Sequence, residues 1–308
     1  MSRYAHARAV ILAGGEGKRL RSLTRLICGD NRPKQFCPIF GSETLLGHTR
    51  QRVARAVSPE RTLFAVLKAH EDLYSDELKD VSRGQIVVQP DNKGTAAAIT
   101  YSLLRILQTD GDALAAFFPA DHYYADESPF ITAVDSALGI AQDHADSLVL
   151  LGAEPQSPEV EYGWIEPGDS VECSNGAELS RVNRFWEKPA LQAARELLRR
   201  GCLWNTFVMV GRAKTFLEIL KSTVPNLLRA FDPIADLCEN ESEAQAVRRL
   251  YKTLVPVDFS QQVLPASTNR LIVLRLRDAG WSDLGKPERV FATLARAGIE
   301  PQWATALQ

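Results

Sequence analysis

The sequence predicts an α/β fold with a mixed, mostly parallel sheet flanked by helices, and three observations predict it. Short apolar runs alternate with amphipathic stretches of roughly 10 to 15 residues through the first half, the signature of βαβ units. The first apolar run opens into a cluster of glycines, as a strand does where it meets a ligand. The composition, 45% hydrophobic and 24% charged over 308 residues, is ordinary and globular. That length suffices for one large domain, or for a core with a small appendage.

Strand and helix alternate in order. Residues 9–13 read as a buried strand, 44–57 as a helix, 62–67 as a strand and 71–80 as a helix. Strand 85–89, helix 95–108, strand 113–118, helix 129–144 and strand 147–152 follow. The second half is less regular. Strands are expected at 162–166, 178–186 and 202–210, with a helix at 190–200. Helical segments run from 212 to 252, interrupted near 222–226 and 232–233; strand 270–276 and helix 288–297 close the pattern. Residues 1–298 read as one domain, with halves of about 1–150 and 151–298, and 299–308 as a tail.

Several classes are excluded. A formal net charge of -2 gives no reason to expect nucleic acid or an anionic membrane as partner, so any anion must meet a local cluster of donors. Cys28, Cys37, Cys173, Cys202 and Cys238 are odd in number, far apart and never spaced CxxC, which argues against a disulfide framework and a structural zinc site. The N-terminal apolar run is too short for a signal peptide, and no stretch approaches the roughly 18 apolar residues of a membrane span. A reduced cytoplasm is the expected setting.

The chemistry lies in the motifs. Ala13-Gly14-Gly15-Glu16-Gly17-Lys18-Arg19-Leu20 follows the first strand, so backbone N–H groups can turn around phosphate oxygens while Arg19 adds a bidentate cation. GxGxxG fails here, and no GxxxxGK[ST] occurs, so this is neither a dinucleotide fingerprint nor a Walker loop. In Arg32-Pro33-Lys34-Gln35-Phe36, Pro33 stiffens the approach to Lys34. Taken singly, each of these is as readily a tight turn or a surface lysine.

LAGGEGKRL followed by RPKQF resembles the opening of the sugar-1-phosphate nucleotidyltransferases, and the PKQF form is most similar to mannose-1-phosphate guanylyltransferases. The likeness continues through Gln89-Pro90-Asp91-Asn92-Lys93-Gly94, Phe118-Pro119-Ala120-Asp121, Tyr162-Gly163-Trp164, Phe185-Trp186-Glu187-Lys188-Pro189, Trp204-Asn205 and Gly280-Trp281-Ser282-Asp283-Leu284-Gly285. It spans roughly residues 9 to 290. It implies a Rossmann-like sheet of the nucleotide-diphospho-sugar transferase type, and transfer of a nucleotidyl group from a nucleoside triphosphate to a sugar 1-phosphate.

By this resemblance Arg19 and Lys34 are catalytic, while Gly14, Gly15, Gln89 and Gly94 bind the nucleotide. Gly163, Glu187, Lys188 and Asn205 line the sugar-phosphate pocket, and Asp121 and Asp283 hold Mg²⁺. The residue chemistry agrees: an amide suits a base edge, and carboxylates near phosphates call for a cation such as Mg²⁺. His122 is structural in the family's pattern. GTP and mannose 1-phosphate follow from PKQF alone; glucose, fucose or heptose 1-phosphate would use the same phosphate machinery, and self-association is left open.

Departures keep a non-catalytic nucleotide-sugar-binding homologue in view, although Arg19, Lys34, Asp121 and Asp283 are intact. Lys18 replaces a common threonine, Thr206-Phe207 departs from WNSGMF, and Gln261-Gln262 falls where a Glu-Lys pair is usual. Lys286 stands where a small hydroxyl residue is usual, placing an extra cation beside the metal motif. Longer relatives carry a C-terminal β-helix or cupin-like domain, for which residues 291–308 are too few.

Overall fold

The computed structural model describes residues 4–172, 178–235 and 241–305. Its strands are β1 (Ala7–Leu12), β2 (Thr62–Leu67), β3 (Ile86–Gln89), β4 (Leu114–Pro119), β5 (Leu148–Ala153), β6 (Gly163–Ser170), β7 (Leu179–Glu187), β8 (Leu203–Arg212) and β9 (Leu271–Leu276). They form one sheet in the order β3-β2-β1-β4-β8-β5-β9-β7-β6, and β6 also pairs with β8. That last pairing closes β8, β5, β9, β7 and β6 into a ring.

Between the strands lie α1 (Arg21–Cys28), α2 (Leu45–Ala54), α3 (Glu71–Glu77), α4 (Thr95–Thr109), α5 (Glu127–Asp143), α6 (Leu191–Arg199) and α7 (Ala213–Thr223). α8 (Pro225–Ala230), α9 (Asp232–Ala235), α10 (Glu241–Thr253), α11 (Pro287–Ala297) and α12 (Gln302–Thr305) complete the set. Local chemistry sets their starts. Thr44 caps α2 by accepting from Gly47 N at 3.0 Å, and Asp126 caps α5 by accepting from Ser128 N at 2.8 Å.

The first half follows the alternation in the sequence. β1 to β4 pair in parallel, and every position of β2 is buried, as a sheet covered on both faces requires. The expectation of a mostly parallel sheet fails beyond β4. There only β5–β9 is parallel among the described pairings, while β4–β8, β5–β8, β6–β7, β6–β8 and β7–β9 are antiparallel. Only residues 171–178 separate β6 from β7, fewer than the roughly dozen a parallel crossover needs, so the two strands return on each other as neighbours.

Two large apolar clusters cover the faces of the sheet, Ile11 entering one and Val10 the other as side chains alternate along β1. A third, smaller cluster joins Leu20, Leu23, Cys37, Ile39, Leu45, Leu284, Val290 and Leu294. It clamps together three loops distant in sequence: the one after β1, the PKQF turn and the one before α11. Trp303 of α12 packs on it and donates from Nε1 to Ile39 O at 3.0 Å, docking part of the segment read as a tail.

The α1 helix fills a stretch to which the sequence pattern assigns no element; Gly29, at φ 79, ends it by donating to Arg25 O at 2.8 Å. Cys28 and Cys37 lie closer than their spacing suggested, Sγ to Sγ 3.3 Å, yet both are free thiols, as is Cys202. Cys173 and Cys238 lie outside the described residues. No helix among the described residues is long and apolar enough to cross a membrane.

Candidate active site

The loop after β1 is held open from beneath. Gln35, buried at 1% exposure, donates from Nε2 to Ala13 O at 2.9 Å and to Gly15 O at 2.7 Å. Their carbonyls are thereby turned away from the pocket, as a phosphate cradle requires. At Gly17, with φ 58, a Cβ would lie 2.9 Å from Lys34 N, so the glycine loop and the PKQF turn touch through a position that only glycine fits. Gly14 and Gly15 line a cavity of about 510 Å³ together with Gln89, Gly94, Asp121 and Asp258.

Gln89 ends β3 at 2% exposure, and its Oε1 accepts from Tyr251 OH at 3.3 Å. Its Nε2 lies 3.3 Å from where a Cβ on Gly14 would sit, so the Gln89 amide and the glycine loop share one wall. Gly94 precedes α4 at φ 84, ψ 169, tight against the backbone of Val257. Asp258 caps the next turn by accepting from Gln261 N at 3.0 Å, and Gln262 Oε1 accepts from Asp258 N at 2.9 Å. The unusual glutamine pair thus shapes the loop that carries Asp258 to the cavity.

One ammonium reaches both the Asp121 carboxylate and the Asp283 main chain. Lys34, its side chain mostly buried, donates from Nζ to Asp283 O and lies 3.4 Å from Asp121 Oδ2. A bridge between Tyr123 and Ser282 zips the two carboxylate-bearing segments together. Burial pushes the Asp283 carboxyl up, but Lys34 and then Arg289 more than offset this and hold it below the ordinary range. Asp283 Oδ1 accepts from Tyr162 OH at 3.0 Å and Gly285 N at 2.7 Å, and is paired with Arg289.

Among the described residues no three carboxylate, histidine or cysteine side chains gather as a metal cage. The Asp121 carboxylate and the Asp283 segment, joined through Lys34, fit a hard divalent ion that takes its remaining ligands from phosphates and water. Burial drops the His122 pKa to about 4, and its Nδ1 accepts from Trp281 Nε1 at 3.2 Å. Its ring is therefore a neutral packing partner at physiological pH.

The cations extend into a ladder of alternating charge. Arg19 Nη1 meets Glu161 Oε2 at 2.5 Å; Lys286 Nζ lies 3.5 Å from Glu161 Oε1 and 3.8 Å from Glu159 Oε1. Arg289 Nη2 lies 2.8 Å from Glu159 Oε2, and its other arm reaches Asp283. Lys286 therefore stands near the metal motif but is satisfied by glutamates. Sequence reasoning missed Gln35, Glu159, Glu161, Tyr162 and Arg289; the only signal was that the first four sit within or beside motifs already singled out.

Gly163, Glu187 and Asn205 converge from β6, β7 and β8. A Cβ on Gly163 would lie 3.0 Å from Glu187 Oε2 and 3.3 Å from Asn205 Cβ. Lys188 Nζ pairs with Glu187 Oε1 at 3.1 Å, and burial raises the Glu187 pKa. Asn205 Oδ1 accepts locally from Phe207 N at 3.1 Å. Lys188, which follows Glu187, and Phe207, whose N donates to Asn205, are non-glycine residues at positive φ (48 and 58), so backbone strain is stored beside this pocket.

This is the constellation of a phosphate-handling transferase, and family comparison agrees. The Nucleotidyl transferase family profile matches residues 8–297, and the chain belongs to that family. It is 32% identical over 288 residues to the mannose-1-phosphate guanylyltransferase ManC of Salmonella typhimurium, covering 90% of this chain and 57% of that protein. The xanthan biosynthesis protein XanB of Xanthomonas campestris is equally similar, 32% over 287 residues with the same coverage. The chain thus spans little more than half the length of these curated relatives. A crystal structure from Thermus thermophilus, described as a mannose-1-phosphate geranyltransferase, superposes with a TM-score of 0.80 at 30% identity, covering 93% of this chain and 79% of that one. The resemblance read from the motifs is borne out.

Proposed function

We propose that this chain joins a sugar 1-phosphate to a nucleoside triphosphate and releases pyrophosphate, with mannose 1-phosphate and GTP as the preferred pair. The observation that carries the reading is Lys34 Nζ seated between Asp121 and the Asp283 backbone, beside a cavity lined by Gly14, Gly15 and Gln89. The choice of sugar and base rests on the relatives named above and on the PKQF motif.

The sugar-phosphate oxygen is already ionised at neutral pH, so no general base is needed. It attacks the α-phosphorus in line while the bond to the pyrophosphate oxygen breaks. The protein's task is to bring two anions together and to stabilise charge on the phosphoryl oxygens. In this reading Gly14 and Gly15 cradle the triphosphate, Arg19 and Lys34 neutralise it, Gln89 meets the base, and Gly94 lets the backbone approach. Lys188 holds the sugar phosphate, Glu187 accepts from sugar hydroxyls, and Gly163 and Asn205 shape their pocket. Asp121 and Asp283 would hold Mg²⁺, which supplies further charge neutralisation at the phosphate oxygens.

The test is a matrix of four nucleoside triphosphates against several sugar 1-phosphates with Mg²⁺, reading pyrophosphate. GTP with mannose 1-phosphate should give the highest kcat/KM, and Asp121→Ala should lower it by about 10²-fold or more. No pyrophosphate from any pair would leave a nucleotide-sugar-binding homologue as the better description.

A further inference from the structure

Asp283 Oδ1 is over-subscribed. A carboxylate oxygen offers about two lone pairs, yet this one faces Tyr162 OH, Gly285 N and the Arg289 guanidinium. Tyr162 and Gly285 belong to the scaffold: the Tyr162 ring packs on Trp204 and Trp281 at 4.9 and 5.0 Å, and Gly285 is two residues along the same loop. Arg289 alone can leave. It sits in the first turn of α11, its guanidinium 4.4 Å from the centre of the Tyr162 ring, and its second arm is already 2.8 Å from Glu159 Oε2. That arm lacks an aligned acceptor, so the contact with Glu159 is a charge contact still open to a full hydrogen bond. One side-chain rotation transfers the guanidinium from Asp283 to Glu159 with no movement of backbone.

We propose that Arg289 is a resident counter-cation of Asp283. It keeps a buried carboxylate neutralised before substrate arrives, competes with the divalent ion for that carboxylate, and yields it by shifting onto Glu159. The proposal rests on the reading of Asp283 as a metal ligand. The physical ground is that a buried charge without a partner is costly, so the site needs a cation at every stage. Arg289 is a positioning residue, acting on the metal through Asp283 alone.

The test is Mn²⁺ titrated into the metal-free protein at fixed ionic strength, with free Mn²⁺ read by electron paramagnetic resonance. Arg289→Met should tighten Mn²⁺ binding about tenfold, equivalent to about 1.4 kcal/mol. Glu159→Gln removes the carboxylate that receives the guanidinium and should weaken it roughly threefold or more, with that factor an order-of-magnitude expectation. Lys286→Met removes the same charge one rung further along and should change affinity by less than about twofold, since exposed charges are screened. Unchanged or weaker binding in Arg289→Met overturns the proposal, as does a Lys286→Met effect of equal size, which would mean diffuse electrostatics. If Arg289→Met fails to fold, the direction of the Glu159→Gln shift decides alone. Wild-type protein with no saturable Mn²⁺ binding would remove the metal reading itself. Binding that Asp121→Asn abolishes while Arg289→Met leaves it unmoved would preserve that reading and reject this one.

Discussion

Gly94→Ala is the sharpest test of how the cavity is built. A Cβ there would lie 2.2 Å from Val257 O and 2.7 Å from Val257 C, so the 257 segment must retreat by about 1 Å to reach ordinary contact. Retreat breaks Ala96 N→Val257 O (3.1 Å) and Val257 N→Lys93 O (3.0 Å), two of the bonds that join the α4 start to that segment. Two such bonds are worth about 2 kcal/mol together, and an alanine held at φ 84, ψ 169 adds about 1–3 kcal/mol of strain. The sum, about 3–5 kcal/mol, corresponds to a fall in Tm on the order of 10 °C for a chain of this size. Moving residues 256–258 also displaces Asp258 from the cavity wall, so nucleotide affinity should fall with stability. Thermal unfolding and titration calorimetry with GTP are the assays. A variant that melts within 2 °C of the parent (set by the ~1 kcal/mol scale of a single bond) and binds GTP equally would refute the packing argument.

Three further outcomes are expected. Gln35→Ala removes both donors that hold the glycine loop and should raise the KM for nucleoside triphosphate about tenfold, with a smaller effect on the sugar phosphate KM, measured by pyrophosphate release. Lys34→Met removes the ammonium that bridges the Asp121 carboxylate and the Asp283 main chain; Tm should drop by a few degrees in chelator and recover on adding Mg²⁺, while kcat stays about 10²-fold low. Burial raises the Glu166 pKa, but bonds from Asn183 and Trp186 and the charge of Arg200 hold it below the ordinary carboxylate range. Because the folded value is depressed, its stabilisation is present above about pH 4.5 and lost as pH falls through the folded pKa, so Glu166→Gln should flatten the loss of Tm between neutral and acidic pH.

The first half of the fold was legible because most apolar runs there, the edge strand β3 excepted, are strands buried on both faces, and such runs need no partner to be recognised. β2 illustrates this, its bounds Thr62–Leu67 matching those read from the sequence. In the second half β6 ends in exposed residues and β7 buries only Leu179, Val182 and Phe185, off the two-residue period of a strand, so neither reveals which neighbour it takes. The pairing of β6 with both β7 and β8 is a tertiary fact that no local period encodes. The α1 helix was missed for a related reason: two arginines and only a narrow apolar stripe give it a polar reading until Leu20, Leu23 and Ile27 meet the third cluster.

The same division runs through the candidate site. Residues whose chemistry is unusual in its place, such as three glycines after a strand or a lysine behind a proline, were visible in the sequence. Glu159, Glu161 and Arg289 were not, because acidic pairs in loops and an arginine in the first turn of a helix are ordinary solvated surface. Their meaning comes from adjacency: the ladder from Arg19 to Asp121 is assembled from five separate stretches of the chain, around Arg19, Lys34, Asp121, Glu159–Glu161 and Asp283–Arg289. On the proposed function, a site that gathers two phosphate-bearing anions must hold excess positive charge when loaded, yet the empty protein cannot leave that charge uncompensated in a half-buried cleft. Glu159 and Glu161 resolve the conflict, since they neutralise the cations while the cleft is empty and can be exchanged for phosphate oxygens at small net cost. An exposed pair such as Arg19–Glu161 contributes at most about 1 kcal/mol, which makes it a replaceable partner, and a triphosphate that offers several oxygens to the same guanidinium wins that exchange.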